Sequence, residues 1–147
     1  MRIETRRSVR ATPAEVWEVV SDPCVIGVLS DTLIVSELEP DTVPGVGARY
    51  RALLRVGPVP VGGNVEIIEF APPHDLAWTT LTGVDHRLRL RLRERDDGGT
   101  WLTLRFAYDS PGLLGGVADL VSYPMVRPAI NDLLRAIVDR VETGEAP

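Results

Sequence analysis

Lysine is absent from this 147-residue chain, so all 16 basic residues are arginine. We read that as a bias of codon composition and attach no function to it. A single cysteine, Cys24, excludes an internal disulfide and any CxxC-type metal site. It follows Pro23 with no charged neighbour in sequence, which suits a small half-buried residue better than a reactive thiol. The two histidines, His74 and His86, are too few for metal catalysis, and no metal or cofactor is implied. No apolar run approaches the roughly 18 residues needed to span a bilayer. The opening residues alternate charges where a secretory signal would be apolar, so the expected location is cytoplasmic, with no integral membrane segment. A net charge of −5 argues against nucleic acid as the main partner.

What is present is the composition of a soluble globular protein, 44% hydrophobic and 25% charged, at a length that suits one domain over residues 1–147. Ile3 to Val9 alternates as a strand with one solvated face. Thr12-Pro13-Ala14-Glu15 carries a capping box with proline at the first helical position, and the helix it opens ends at Asp22-Pro23. Cys24 to Ser30 has room for a second brief helix. Strands are expected over Leu33–Leu38, Arg49–Val56, Val65–Phe70 and Leu76–Thr82, with Gly57 to Gly63 as a loop between two of them.

The clearest alternation runs from 86 to 93. His86, Leu88, Leu90 and Leu92 share one face, and Arg87, Arg89, Arg91 and Arg93 share the other. Asp96-Asp97-Gly98-Gly99 is a hairpin turn, and the return strand puts Leu102, Leu104, Phe106 and Tyr108 on one face. Leu113 to Glu142 is helical, about 45 Å long if unbroken. Val126, Ile130, Leu133, Leu134, Ile137 and Val141 form its apolar stripe, and Pro124 and Pro128 are expected to kink it. One layer of antiparallel sheet gripping one long helix is the architecture this order implies, an α+β fold.

That order, with Ala11-Thr12-Pro13-Ala14-Glu15-Val16-Trp17, Ser21-Asp22-Pro23, Gly45-Val46-Gly47-Ala48-Arg49 and Trp78-Thr79-Thr80-Leu81-Thr82-Gly83, resembles the START-like (SRPBCC) superfamily, and within it the bacterial polyketide cyclase/dehydrase branch. The resemblance runs from Ile3 to Glu142. It implies the helix-grip fold, with about seven strands and the C-terminal helix around a hydrophobic cavity. It does not imply one activity, because relatives include aromatase/cyclases, lipid-transfer domains and hormone-binding proteins. No catalytic motif is common to them, so none is carried over.

Candidate residues are therefore the polar side chains that share a face with apolar ones. His86 keeps parity with Leu88 and Leu90, Tyr50 with Leu54 and Val56, and Tyr108 with Leu104 and Phe106. Asp119 and Tyr123, four apart, project onto the stripe of Val126 and Ile130, and Trp78 lies on a strand apolar on both faces. In the functional reading His86 is a ligand contact or a general base for an acidic carbon. Tyr50, Tyr108 or Tyr123 then polarises a carbonyl and Asp119 orients one of them. In the plain reading His86 is solvated at a strand end, the tyrosines pack with wet hydroxyls, and Asp119 is an exposed carboxylate near a helix start. The Arg87–Arg93 ladder lacks interleaved aromatics and reads as a solvated sheet face. Gly112 with Gly115-Gly116 lacks nucleotide-loop spacing and reads, with the Gly57–Gly63 loop, as a flexible gate.

Three functions follow: a carrier of a hydrophobic lipid, aromatic or polyketide-like molecule; a cofactor-independent cyclase, aromatase or dehydratase using His86; or an interaction module with a filled pocket. The assembly is expected to be a monomer or homodimer.

Overall fold

Leucine and arginine alternate in β6 (His86–Glu94), and β7 (Thr100–Tyr108) answers with an alternation of its own. From His86 to Leu92 and from Thr100 to Tyr108 every even-numbered residue is buried, so the hairpin has one dry face and one solvated face. Its turn closes through Arg95 and Gly99, and Gly98 sits at φ 86°, where a Cβ would be strained.

The computed structural model describes residues 2–56, 59–108 and 123–144. The remaining elements are β1 (Arg2–Val9), α1 (Pro13–Val20), α2 (Pro23–Leu29), β2 (Leu33–Glu37), β3 (Arg49–Val56), β4 (Val59–Ala71), β5 (Asp75–Thr80) and α3 (Tyr123–Thr143). The strands form one seven-stranded sheet in the order β1-β7-β6-β5-β4-β3-β2, each neighbouring pair antiparallel. A register shift between Ile67 and Glu69 leaves Ile68 as an extra residue in β4 and adds curl to the sheet.

The helix α3 lies in the curl. Val126, Ile130, Leu133, Leu134 and Ile137 of its apolar stripe are buried, and Val141 is partly so. These side chains join the concave residues of the sheet in one core, to which α1 adds Val16, Trp17 and Val20 and α2 adds Ile26 and Leu29. The far end of α3 is fastened to the end of β1, because the Arg10 backbone N–H donates to Glu142 Oε2 at 2.8 Å. At α1, Thr12 Oγ1 accepts from the Glu15 N–H at 3.2 Å as the capping pattern predicts. Asp22 caps α2 by accepting from the Cys24 N–H at 2.9 Å.

The structure departs from the sequence expectations in two places. Val59 to Gly63 is strand, not loop: β3 and β4 stay paired from Arg49–Glu66 out to Val56–Val59. The two glycines that read as punctuation instead permit a close crossing of chains. A Cβ on Gly63 would strike the Thr82 carbonyl, so only a bare backbone fits there. Of the gate expected from Gly57–Gly63 with Gly112 and Gly115-Gly116, residues 59–63 are paired strand and the other glycines lie outside the described residues. The strand expected over Leu76–Thr82 runs instead over Asp75–Thr80, since the chain turns back to β6 after Thr80. The helix continues through Pro128 without a break, the exposed proline falling on the solvent side. Leu113 to Ser122, expected as the start of this helix, lies outside the described residues.

Candidate functional site

Strand register gathers the candidate polar residues into one line. Tyr50 of β3 pairs with Val65 of β4, and Val65 pairs with Thr80 of β5. His86 of β6 pairs with Tyr108 of β7. Thr80 and His86 join the two halves, since the His86 N–H donates to Thr80 Oγ1 at 2.6 Å. Directly opposed residues face the same side, so Tyr50, Thr80, His86 and Tyr108 form a polar row across the concave face. At ~4.8 Å per strand the row spans about 19 Å along the sheet from β3 to β7. The next row is apolar throughout: Ile67, Trp78, Leu88 and Phe106, all buried. Leu76, Leu90 and Leu104 make a third row beyond it.

His86 anchors one half of the polar row. It is 6% exposed, and its ring stacks on Phe106 at 5.4 Å between centroids. The Trp78 indole Nε1–H donates to His86 Nε2 at 3.2 Å. Indole nitrogen only donates, so Nε2 must carry the lone pair and Nδ1 the proton. Both partners of Nδ1, the Val84 carbonyl and Thr80 Oγ1, stand at 3.1 Å. Burial pushes the His86 pKa below its ordinary 6.5 against the opposing pull of the Val84 carbonyl and Asp85, so the ring is neutral near pH 7. Thr80 completes the network. The main-chain pairing of β5 with β6 ends at Thr79–Arg87, and the Thr80 hydroxyl takes over by accepting from the His86 N–H. Its own proton has the His86 carbonyl at 2.7 Å.

Tyr50 anchors the other half in the opposite condition. Its side chain is 0% exposed, yet its hydroxyl has no hydrogen-bond partner among the described residues. Burial, together with the negative charges of Asp22 and Glu37 and the Cys24 thiol, pushes its pKa up to about 12. The group is therefore a neutral O–H at any physiological pH. An unpartnered buried hydroxyl costs about 1–3 kcal/mol, which marks this atom out from every other in the row.

The remaining predicted residues divide clearly. Trp78, Leu88, Leu90, Leu104, Phe106 and Tyr108 are buried on the concave face, and Val126 and Ile130 face them from α3. Burial raises the Tyr108 pKa. Asp119 lies outside the described residues, as does the side chain of Tyr123, which begins the described part of α3. Thr80 is the participant that the sequence reading missed, although its parity with Leu76 and Trp78 was available. An open pocket of about 570 Å³ adjoins the His86 end, bordered by Arg2, Asp85, Arg87 and Tyr108 among others. Among the described residues no cluster of His, Cys, Asp and Glu gathers as for a metal, and no helix is long and apolar enough to cross a membrane.

Known structures share this architecture. The TTHA0849 protein of Thermus thermophilus superposes with a TM-score of 0.80 at 15% identity, over 99% of both chains. The Zhui aromatase/cyclase from a Streptomyces species gives 0.77 at 21% identity, over 97% of this chain and 93% of that one. The Aha1 dimer from Colwellia psychrerythraea gives 0.62 at 12% identity, over 99% and 98% of the two chains. Likeness at such identities is a likeness of fold, and the differing names show how little fold alone decides. No curated protein sequence matches this one. The family model described as polyketide cyclase/dehydrase and lipid transport matches residues 1–143. With the sheet, the gripped helix and this match over nearly its full length, the chain belongs to the polyketide cyclase/dehydrase and lipid transport family.

Proposed function

We propose that the protein binds a hydrophobic small molecule, aromatic, polyketide-like or lipid, between the concave sheet face and α3. The observation that carries this reading is the Tyr50 hydroxyl, held without a described partner beside apolar rows of side chains. A buried donor left open costs stability unless something accepts from it, and a guest oxygen is such an acceptor. The family description, which joins cyclases with lipid transport, supports the same class of ligand.

Carriage is favoured over catalysis by His86. A general base needs a free lone pair, and that of His86 Nε2 already accepts from Trp78. The other nitrogen holds its proton toward Val84 and Thr80. His86 thus shapes and polarises the wall of the site, with the Tyr108 ring adjoining it through Phe106.

Native mass spectrometry of the freshly purified full chain tests the proposal. The expected result is a co-purified small molecule that leaves on denaturation. Bare protein that also shows no thermal shift with a panel of apolar ligands would overturn it, since a ligand at a hundred times its Kd stabilises by about 2.7 kcal/mol.

A further inference from the structure

We infer that the ligand presents an uncharged oxygen to the Tyr50 hydroxyl, such as a ketone or ester carbonyl, and that this end of the polar row refuses a carboxylate or phosphate. The inference rests on the cavity reading above and adds to it the chemical class of the ligand's inner end.

Three placements support it. Tyr50 is fully buried and its hydroxyl is an open donor, so its natural complement is an acceptor. Glu37 is the direct register partner of Tyr50 on β2 and so shares its face of the sheet. Asp22, whose carboxylate caps α2, acts on the same hydroxyl from the helix that packs against β2. Among the described residues, the full charges that bear on Tyr50 are thus both acids. Burial is the largest cause of the raised pKa of the hydroxyl, and the two acids add to it, so both oppose negative charge at that oxygen. A ligand carboxylate brought there would lose its hydration and meet two like charges. A neutral carbonyl gains the hydrogen bond without that penalty.

The test uses three probes of one size: 2-acetylnaphthalene, 2-naphthoate and 2-methylnaphthalene, titrated calorimetrically into the full chain at pH 7. One hydrogen bond predicts that the ketone binds about fivefold more tightly than the hydrocarbon, and burial of charge predicts that the carboxylate binds at least about tenfold more weakly than the ketone. Tyr50→Phe keeps the ring and the volume, and it should bring ketone and hydrocarbon to within about twofold. Glu37→Gln, at an exposed position, should narrow the gap between ketone and carboxylate by roughly two- to fivefold. Naphthoate binding as tightly as the ketone, or a ketone preference that survives Tyr50→Phe, overturns the inference while leaving the cavity reading intact. If none of the three probes binds, the cavity reading fails and the inference falls with it.

Discussion

His86 and Tyr50 stand in the same row of the same sheet, both buried, and differ in nearly everything else that matters to function. Around His86 each ring nitrogen has a partner, with Trp78 on one side and Val84 and Thr80 on the other. Around Tyr50 the described protein offers the hydroxyl nothing. A satisfied buried network contributes rigidity, whereas an unsatisfied one costs stability until something completes it. The contrast teaches that a titratable residue in an apolar setting is not thereby the reactive one. His86 has the chemistry of a base but has spent its lone pair, and Tyr50 has modest chemistry but an open valence.

The largest expected effect lies at Thr80. Its hydroxyl replaces the main-chain ladder at the end of the β5–β6 pair, and Thr80→Val keeps the shape while leaving the His86 N–H unpaired. Orphaning a buried backbone donor costs about 2–3 kcal/mol, which lowers Tm by roughly 6–10 °C for a domain of this size. Differential scanning calorimetry measures it. A change within about 1 °C would mean that the Thr80 hydroxyl does not hold the His86 end rigid.

The sign reverses at the other end. Tyr50→Phe deletes a hydroxyl that has no partner to lose, so the unliganded protein should gain about 1 kcal/mol, or roughly 3 °C in Tm. One residue that stabilises when trimmed and another that destabilises, in a single row, is the behaviour that separates a site kept open from a scaffold. A loss of stability in Tyr50→Phe would place Tyr50 with His86 in the structural network and erase the comparison.

The sequence revealed the frame of this row more readily than its state. Period-two alternation placed His86, Tyr108 and Tyr50 on the dry face, because parity along a strand fixes the side on which a residue points. The helical period of 3.6 drew the stripe of Val126, Ile130, Leu133, Leu134, Ile137 and Val141, buried as expected except for Val141, which is partly so. What alternation cannot convey is which strands lie side by side and in what register. The bond from Trp78 to His86 joins residues eight apart on adjacent strands, and it exists only once β5 and β6 are aligned. Glycine misled for a related reason: Gly62 and Gly63 break the pattern as a loop would, although Gly62 leaves room for the Ala52 carbonyl and Gly63 for that of Thr82, both tertiary contacts. That the Tyr50 hydroxyl has no partner among the described residues depends on every neighbour at once and is the least local property of all.

The smallest effect is a dependence on pH, and it probes the paired end. Burial depresses the His86 pKa in the folded protein below the 6.5 expected of the unfolded chain. Between those two values the unfolded chain binds a proton that the folded one does not, so stability rises with pH there. The contribution is fully present above about pH 6.5 and is lost progressively as pH falls toward the depressed folded value. Its slope cannot exceed about 1.4 kcal/mol per pH unit for one proton, and near neutrality it is a fraction of that. Protonation would turn Nε2 into a donor facing the Trp78 donor, so the indole itself holds the ring neutral. Trp78→Phe should therefore raise the His86 pKa, read as a shift of its imidazole proton titration by NMR, and should flatten the loss of stability between pH 6.5 and lower values. An unmoved titration in Trp78→Phe would show that Nε2 is free in solution. His86 would then regain the lone pair that a base requires, and the distinction between the two ends of the row would narrow.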